Sequence, residues 1–182
     1  MHVLVTTGSR HGSTREIGEA IAQVLERGGH SVEQVDPDDV TSLTGFDAVV
    51  LGSAVYVGQF AESVRALVRR LEGALAERPL WLFWSGPIGT PARPIGEPDD
   101  VALLVRHLSP RGVRMFGGRL ATAELAMAER ARIAEVDVVP GDYRDFDAID
   151  DWAQIISVAL APKATPGTEV PPSGAWSALT QA

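Results

Sequence analysis

Residues 3–17 read VLVTTGSRHGSTREI, an apolar run followed by a loop of small residues and then a charged segment. The run at residues 3–5 predicts a β-strand. Apolar residues then recur at helical spacing and predict a helix that ends at the glycine pair 28–29; they are Ile17, Ile21, Val24 and Leu25. The stretch is therefore predicted to be a strand, a small-residue loop and a helix that begins near Arg15.

The same alternation continues along the chain. Further strands are predicted over residues 31–35, 47–52, 79–84 and 113–120, and helices over 64–71, 101–108 and 149–156. An alanine-rich pattern over 121–133 predicts an extra helix. Five alternations of strand and helix predict an α/β fold with a parallel sheet between two layers of helices, because right-handed crossovers place helices on both faces. Five strands favour the order 2-1-3-4-5 over a six-stranded dinucleotide-binding sheet.

Composition restricts the function classes. The 182 residues include no cysteine, which excludes disulfides, thiolate nucleophiles and cysteine-ligated metals, and a cytoplasmic location is the expectation. Sixteen basic and 24 acidic residues give 16 − 24 = −8, so nucleic acid is not an expected partner, whereas a basic redox protein is compatible with this charge. No apolar stretch has the length of about 20 residues that an integral membrane segment needs.

The loop after the first strand has the composition of a phosphate-binding loop. Amides at a helix start are unpaired and lie at the positive end of the helix dipole, glycine allows close approach of an anion, and hydroxyls add donors. The candidate ligands are consecutive: Ser9, Arg10, His11, Gly12, Ser13 and Thr14. The alternative is a polar helix cap with Thr14 as the N-cap residue.

Several other phosphate sites are excluded by this loop and by the third strand. There is neither a Gly-x-Gly-x-x-Gly pattern nor a Gly-Lys-Ser/Thr ending, so dinucleotide and nucleoside-triphosphate sites are not indicated. A phospho-accepting receiver domain needs an acidic residue where Gly52 and Ser53 stand, and a low-molecular-weight tyrosine phosphatase needs a cysteine in the loop.

The pattern Gly8-Ser9-x-x-Gly12-x-Thr14 resembles the FMN-phosphate loop of flavodoxins. The string at 9–17, SRHGSTREI, is similar to the corresponding loop of the flavodoxin-like, menaquinone-dependent protoporphyrinogen oxidases. The resemblance covers residues 1–160 and implies a flavodoxin-like three-layer αβα domain that binds FMN, leaving 161–182 as a mobile C-terminal tail. His11 stands where flavodoxins usually have a hydroxyl residue.

Two further loops are expected at the same edge of the sheet, because ligands bind beyond the carboxyl ends of such strands. The resemblance implies that the loop after strand three covers the isoalloxazine ring, with Tyr56 stacked on it; its residues are Ser53, Ala54, Val55, Tyr56 and Val57. The alternative is that Tyr56 packs on a helix. The oxidases carry a basic residue near the centre of this loop, where this chain has Tyr56 and Val57.

The loop after strand four is the third candidate. Its exposed amides can reach the pyrimidine edge of a flavin, and its prolines favour a preformed pocket. The residues are Ser85, Gly86, Pro87, Ile88 and Gly89. A plain connector has the same composition. Trp81 and Trp84, in the preceding strand, are predicted to belong to the core.

These observations predict an FMN-binding, flavin-dependent oxidoreductase that passes electrons from an organic substrate to a quinone or a similar acceptor. The extra segment at 121–139 favours an enzyme, because short carriers do not need it. The alternatives are an electron-carrier protein whose partners are other redox proteins, and a flavodoxin fold that has lost its cofactor. A deazaflavin in place of FMN, the substrate and the oligomeric state stay open.

Overall fold

The computed structural model describes residues 1–56, 58–86, 98–121, 127 and 139–162. The strands are β1 (His2–Gly8), β2 (Ser31–Gln34), β3 (Ala48–Tyr56), β4 (Gln59–Phe60), β5 (Leu80–Ser85), β6 (Gly112–Phe116), β7 (Arg119–Leu120) and β8 (Gly141–Asp142). The helices are α1 (Ser13–Arg27), α2 (Glu62–Ala76), α3 (Asp99–Leu108) and α4 (Phe146–Leu160).

Five parallel strands form the main sheet in the order β2-β1-β3-β5-β6. Counted along the chain without the two-residue strand β4, this is the predicted order 2-1-3-4-5, and the α/β fold class is confirmed. The register sets Gly8 beside Ser53 and Ala54 beside Ser85. The carboxyl ends of β1, β3 and β5 therefore meet at one edge of the sheet, and the three candidate loops begin there.

Each face of the sheet carries its own apolar core. Alternate residues of one strand point to opposite faces, so Val3 and Val5 pack with α1 and α4, whereas Leu4 packs with α2 and α3. Trp81 and Trp84 are both buried, one in each core, as predicted. Because helices cover both faces, the central strands are nearly continuous apolar runs rather than alternating ones.

Two predicted boundaries are wrong. The third strand was predicted to end at residue 52 with a loop from Ser53, but β3 continues to Tyr56, after which β4 pairs back onto β3 in antiparallel orientation. The expected strand over 113–120 stops at Phe116. A Cβ at Gly117 would lie 2.0 Å from the carbonyl oxygen of Tyr143, so the chain passes directly against that backbone instead of continuing the sheet. Residues 119–120 then pair with β8.

Parts of the prediction lie outside the described residues. The extra helix over 121–133 falls there except for residues 121 and 127, and the tail falls there from residue 163 onward. The division into a domain over 1–160 and a tail over 161–182 stays a prediction. In the described part of the chain, no helix has both the length and the apolar character needed to cross a bilayer.

Candidate functional site

Helix α1 begins directly at the predicted phosphate loop. Gly12 is its N-cap residue, in a left-handed conformation with φ of 77°, and no side chain of the described residues caps the first turn. The helix therefore starts at Ser13 rather than near Arg15, and the alternative of Thr14 as the N-cap is wrong because Thr14 lies inside the first turn. The first-turn amides have no intrahelical acceptor and remain available to an anion.

The two hydroxyls of this turn differ in their surroundings. Ser13 Oγ is shielded from solvent and has no hydrogen-bond partner among the described residues. Thr14 is only 1% exposed, and its Oγ1 lies 2.8 Å from Oγ of Ser85, which is 2% exposed. One hydroxyl is thus an unsatisfied donor at the helix start, and the other ties the first loop to the end of β5.

Tyr56 connects the first loop to the end of β3. The backbone N–H of Arg10 donates to Tyr56 Oη over 2.9 Å, and the Arg10 guanidinium carbon lies 4.8 Å from the centre of the Tyr56 ring. The His11 ring meets Tyr56 edge-on, with 6.4 Å between the ring centres. Tyr56 also packs partly against the core under α2 and α3. Tyr56 therefore lies at the first loop and partly against this core, and its stacking on a flavin ring stays a prediction.

The remaining candidates lie at the ends of β3 and β5 or outside the described residues. The Ser53 hydroxyl is fully buried, donating to the Ala54 carbonyl and accepting from the N–H of Ala61, so it braces the start of α2. A Cβ built on Gly86 would lie 3.3 Å from Val55, which places the ends of β3 and β5 in contact. Val57, Pro87, Ile88 and Gly89 lie outside the described residues. Roles of all these residues toward a ligand stay predictions.

A charged cluster that the sequence did not predict lies beside the start of α1. Arg144 Nη1 donates to Glu16 over 2.7 Å and to the carbonyl of Ser13 over 3.3 Å, and the same guanidinium binds Asp142 through two atoms over 2.8 and 2.6 Å. Arg119 Nη1 lies 3.1 Å from Glu16 Oε1. The chain thus brings three separate segments together at the first turn of α1.

The electrostatics of this cluster follow from its hydrogen bonds. The bond from Arg144 is the main reason that the pKa of Glu16 is lowered, although burial acts in the opposite direction. The pKa of Asp142 is lowered chiefly by its own bond from Arg144. Asp142 and Glu16 in turn raise the pKa of the Arg144 guanidinium. All three groups are therefore ionised at neutral pH.

The sequence carried little signal for this cluster. Residues 142–146 lead into α4, which Asp145 caps by accepting from the N–H of Ala148 over 3.0 Å. Arg144 stands between two aspartates, a local pattern that any solvated turn can show. Its contact with Glu16 spans 128 positions and depends on the sheet order, which no local spacing encodes.

Within the described ranges, no three His, Asp or Glu side chains are arranged to hold a metal ion. The described geometry is an uncapped helix start bordered by the ends of β3 and β5.

A family model described as "Flavodoxin domain" matches residues 4–147, which is most of the chain and includes all three loops. This chain belongs to the flavodoxin domain family. No curated protein matches it.

Solved structures support the same fold for this flavodoxin domain. A flavodoxin from the domain Archaea is 14% identical, with a TM-score of 0.61, over 87% of this chain and 98% of the other. A single-residue mutant of flavodoxin from Pseudomonas aeruginosa is 16% identical, with a TM-score of 0.60, over 88% and 99%. Rubredoxin oxygen:oxidoreductase from Desulfovibrio gigas is 12% identical, with a TM-score of 0.61, over 87% of this chain and 35% of that longer one.

Membership of the flavodoxin family indicates FMN as the cofactor. The residues of this flavodoxin domain fit the phosphate end of that molecule. The left-handed Gly12 leaves the helix start open, and Ser13 offers a buried hydroxyl without a partner in the described part. A phosphate supplies the acceptor oxygens that this hydroxyl and the first-turn amides lack.

Proposed function

We propose that this chain binds FMN with the phosphate at the first turn of α1, and that it transfers electrons as a flavin-dependent oxidoreductase. The observation that carries the proposal is the buried, unpartnered hydroxyl of Ser13 at an uncapped helix start, as the described residues have it. Buried donors without partners are uncommon in native proteins, and a missing ligand is one accepted explanation.

The first loop is assigned to the phosphate. The backbone amides of the first turn and the Ser13 hydroxyl donate to phosphate oxygens, and Ser9 adds a second hydroxyl. Thr14 takes part chiefly by holding the loop against Ser85, because its oxygen is already 2.8 Å from that partner. Arg10 contributes positive charge at the rim, and His11 replaces the usual hydroxyl as a donor.

The second and third loops are assigned to the ring system. Tyr56, backed by the Arg10 guanidinium, is the stacking residue. We assign Ala54, Val55 and Val57 to one side of the ring, and the residues from Ser85 through Gly89 to its other edge. When bound, FMN supplies the redox chemistry, and the protein orients the ring and sets its electrostatic surroundings.

Two functions share this site. The first is an enzyme that takes electrons from an organic substrate and passes them to a quinone, as the resemblance to the protoporphyrinogen oxidases suggests. Neither the family match nor the structures named above point to that subgroup, and the loop at Tyr56 lacks its basic residue. The second is an electron carrier for redox proteins, which the net charge of −8 favours through attraction to a basic partner. Both functions suit a cytoplasmic protein.

The cofactor is tested by titrating flavin-free protein with FMN and following flavin fluorescence. The proposal predicts one bound FMN per chain and much weaker binding of riboflavin, which has no phosphate. A protein that leaves FMN fluorescence unchanged, and that is not stabilised by FMN against heat, would show that the fold has lost its cofactor.

The two functions are separated by the electron acceptor. The loaded protein is reduced chemically and then mixed with a soluble quinone or with a basic redox protein. An enzyme reoxidises through the quinone over many turnovers when an organic donor is present. A carrier transfers electrons to the protein partner, loses that transfer at high salt, and shows no sustained turnover with the quinone.

A further inference from the structure

Glu16 places a carboxylate beside the N-cap residue of the proposed phosphate site. Its Oε1 lies 3.9 Å from the position that a Cβ would occupy at Gly12, the N-cap residue, and Nη2 of the exposed Arg15 lies 3.4 Å from the same point. A carboxylate near a helix start stabilises the helix. It also repels an incoming phosphate, whose charge at neutral pH approaches about −2. An anion site with this residue requires a cation that neutralises it.

Arg144 is the more buried of the two arginines that contact Glu16 in the described part of the chain. Its side chain is 4% exposed, and it lies 2.7 Å from Glu16 Oε2. Asp142 holds the other edge of the guanidinium in a two-point contact, which fixes the orientation of the group. Arg119, whose side chain is 25% exposed, adds a second contact to Glu16. Among the described residues, the two carboxylates and the two guanidiniums of this cluster balance in charge.

Arg144 also contacts the backbone of the phosphate loop itself. Its Nη1 donates to the carbonyl oxygen of Ser13 over 3.3 Å. This bond uses the backbone of Ser13 and not its hydroxyl, which stays without a partner among the described residues. The guanidinium, which comes from the segment that precedes α4, therefore acts on the first turn of α1 through both charge and position.

We infer that Arg144 is a positioning residue of the proposed phosphate site. It neutralises Glu16 and holds the first turn of α1 so that a phosphate monoester can bind there. The inference rests on the proposed function and adds to it a residue far from the loop in sequence. Arg144 does not touch the phosphate. Its effect is on the phosphate end of the ligand and not on the ring.

The decisive comparison is the ratio of FMN affinity to riboflavin affinity. R144Q leaves two carboxylates with one guanidinium, so the cluster changes from neutral to −1. We expect FMN affinity to fall about tenfold or more, while riboflavin affinity changes by less than about twofold. A merely structural role for Arg144 would weaken both flavins together and leave their ratio unchanged.

Matched variants separate charge from folding. The double variant E16Q/R144Q returns the cluster to neutral and should recover FMN affinity to within about threefold of wild type. R144K should give an intermediate ratio, because a lysine keeps the charge but loses the two-point contact. R27Q is the control: Arg27 stands at the other end of α1 and also joins α4, through Asp150 at 3.4 Å, and its removal should leave the ratio unchanged.

If R144Q does not fold, R119Q provides the test from a more exposed position, with an expected loss of several-fold in FMN affinity and no loss for riboflavin. An unchanged affinity ratio in R144Q, or in R119Q where only that variant folds, would overturn the inference, as would a double variant no better than R144Q.

Inorganic phosphate separates this inference from the proposed function. Its binding is measured by the thermal stabilisation of flavin-free protein, with wild type and R144Q compared at equal ionic strength. Wild type that is stabilised by phosphate but binds no FMN would refute the proposed function alone, and a loss of that stabilisation in R144Q would still support the role of Arg144. Equal stabilisation of both proteins would count against Arg144 whatever the result with FMN.

Discussion

The hydrogen bond between Thr14 and Ser85 is the most specific link between two of the candidate loops, and T14V removes it with little change of shape. The Thr14 oxygen lies 2.8 Å from Ser85 Oγ, and both residues are almost fully buried. Valine replaces the hydroxyl by a methyl group and leaves the Ser85 oxygen without this partner. We expect the flavin-free protein to be destabilised.

The magnitude follows from burial. A hydrogen bond contributes about 1 kcal/mol net, and a buried polar group left unpaired costs about 1–3 kcal/mol. The expected loss is therefore about 2 kcal/mol of the free energy of unfolding, which for a domain of this size lowers Tm by roughly 4–8 °C. S85A leaves the Thr14 hydroxyl unpaired and should cost a similar amount. The double variant T14V/S85A removes both groups and should cost less than the sum of the two.

The assay is urea unfolding of the four flavin-free proteins, with a double-mutant cycle calculated from the results. We expect a coupling free energy of about 1–2 kcal/mol between the two positions. Additive losses, or a T14V protein as stable as wild type, would refute the idea that this bond ties the first loop to β5.

Three further changes have defined outcomes. G52A introduces a Cβ 2.2 Å from Phe83 Cζ, and overpacking of this kind should cost about 1–3 kcal/mol in urea unfolding. G12A forces a side chain into a left-handed N-cap with φ of 77°, which should cost roughly 1–2 kcal/mol and weaken FMN more than riboflavin. The pKa of Glu16 is lowered in the folded state, chiefly by Arg144, so its stabilisation is present above its ordinary value near 4.5 and is lost as pH falls through the lower folded value. E16Q should therefore flatten the dependence of stability on pH in that acidic window, and an unchanged slope in acid unfolding would contradict this.

Much of the fold could be predicted because it depends on local patterns. Continuous apolar runs such as residues 48–51 identify strands that are buried on both faces, and their alternation with helices fixes a parallel sheet. The phosphate loop could be located for the same reason, since small residues between a strand and a helix are a local feature.

The errors arose where one segment meets another that is distant in sequence. Gly117 ends β6 because the backbone of Tyr143 lies against it, and nothing near Gly117 indicates that contact. The helix start was misplaced because Gly12 adopts a left-handed conformation that leaves Thr14 inside the helix and turned toward Ser85. Arg144 escaped prediction because its partner Glu16 stands at the opposite end of the domain sequence.

The phosphate of FMN is proposed to bind at the first turn of α1, and a crystal structure of the protein grown with FMN would locate it. We expect phosphate oxygens about 2.7–3.2 Å from the first-turn amides and from Ser13 Oγ, with Arg144 still bound to Glu16. A flavin whose phosphate lies elsewhere, or crystals without flavin at this edge of the sheet, would contradict it.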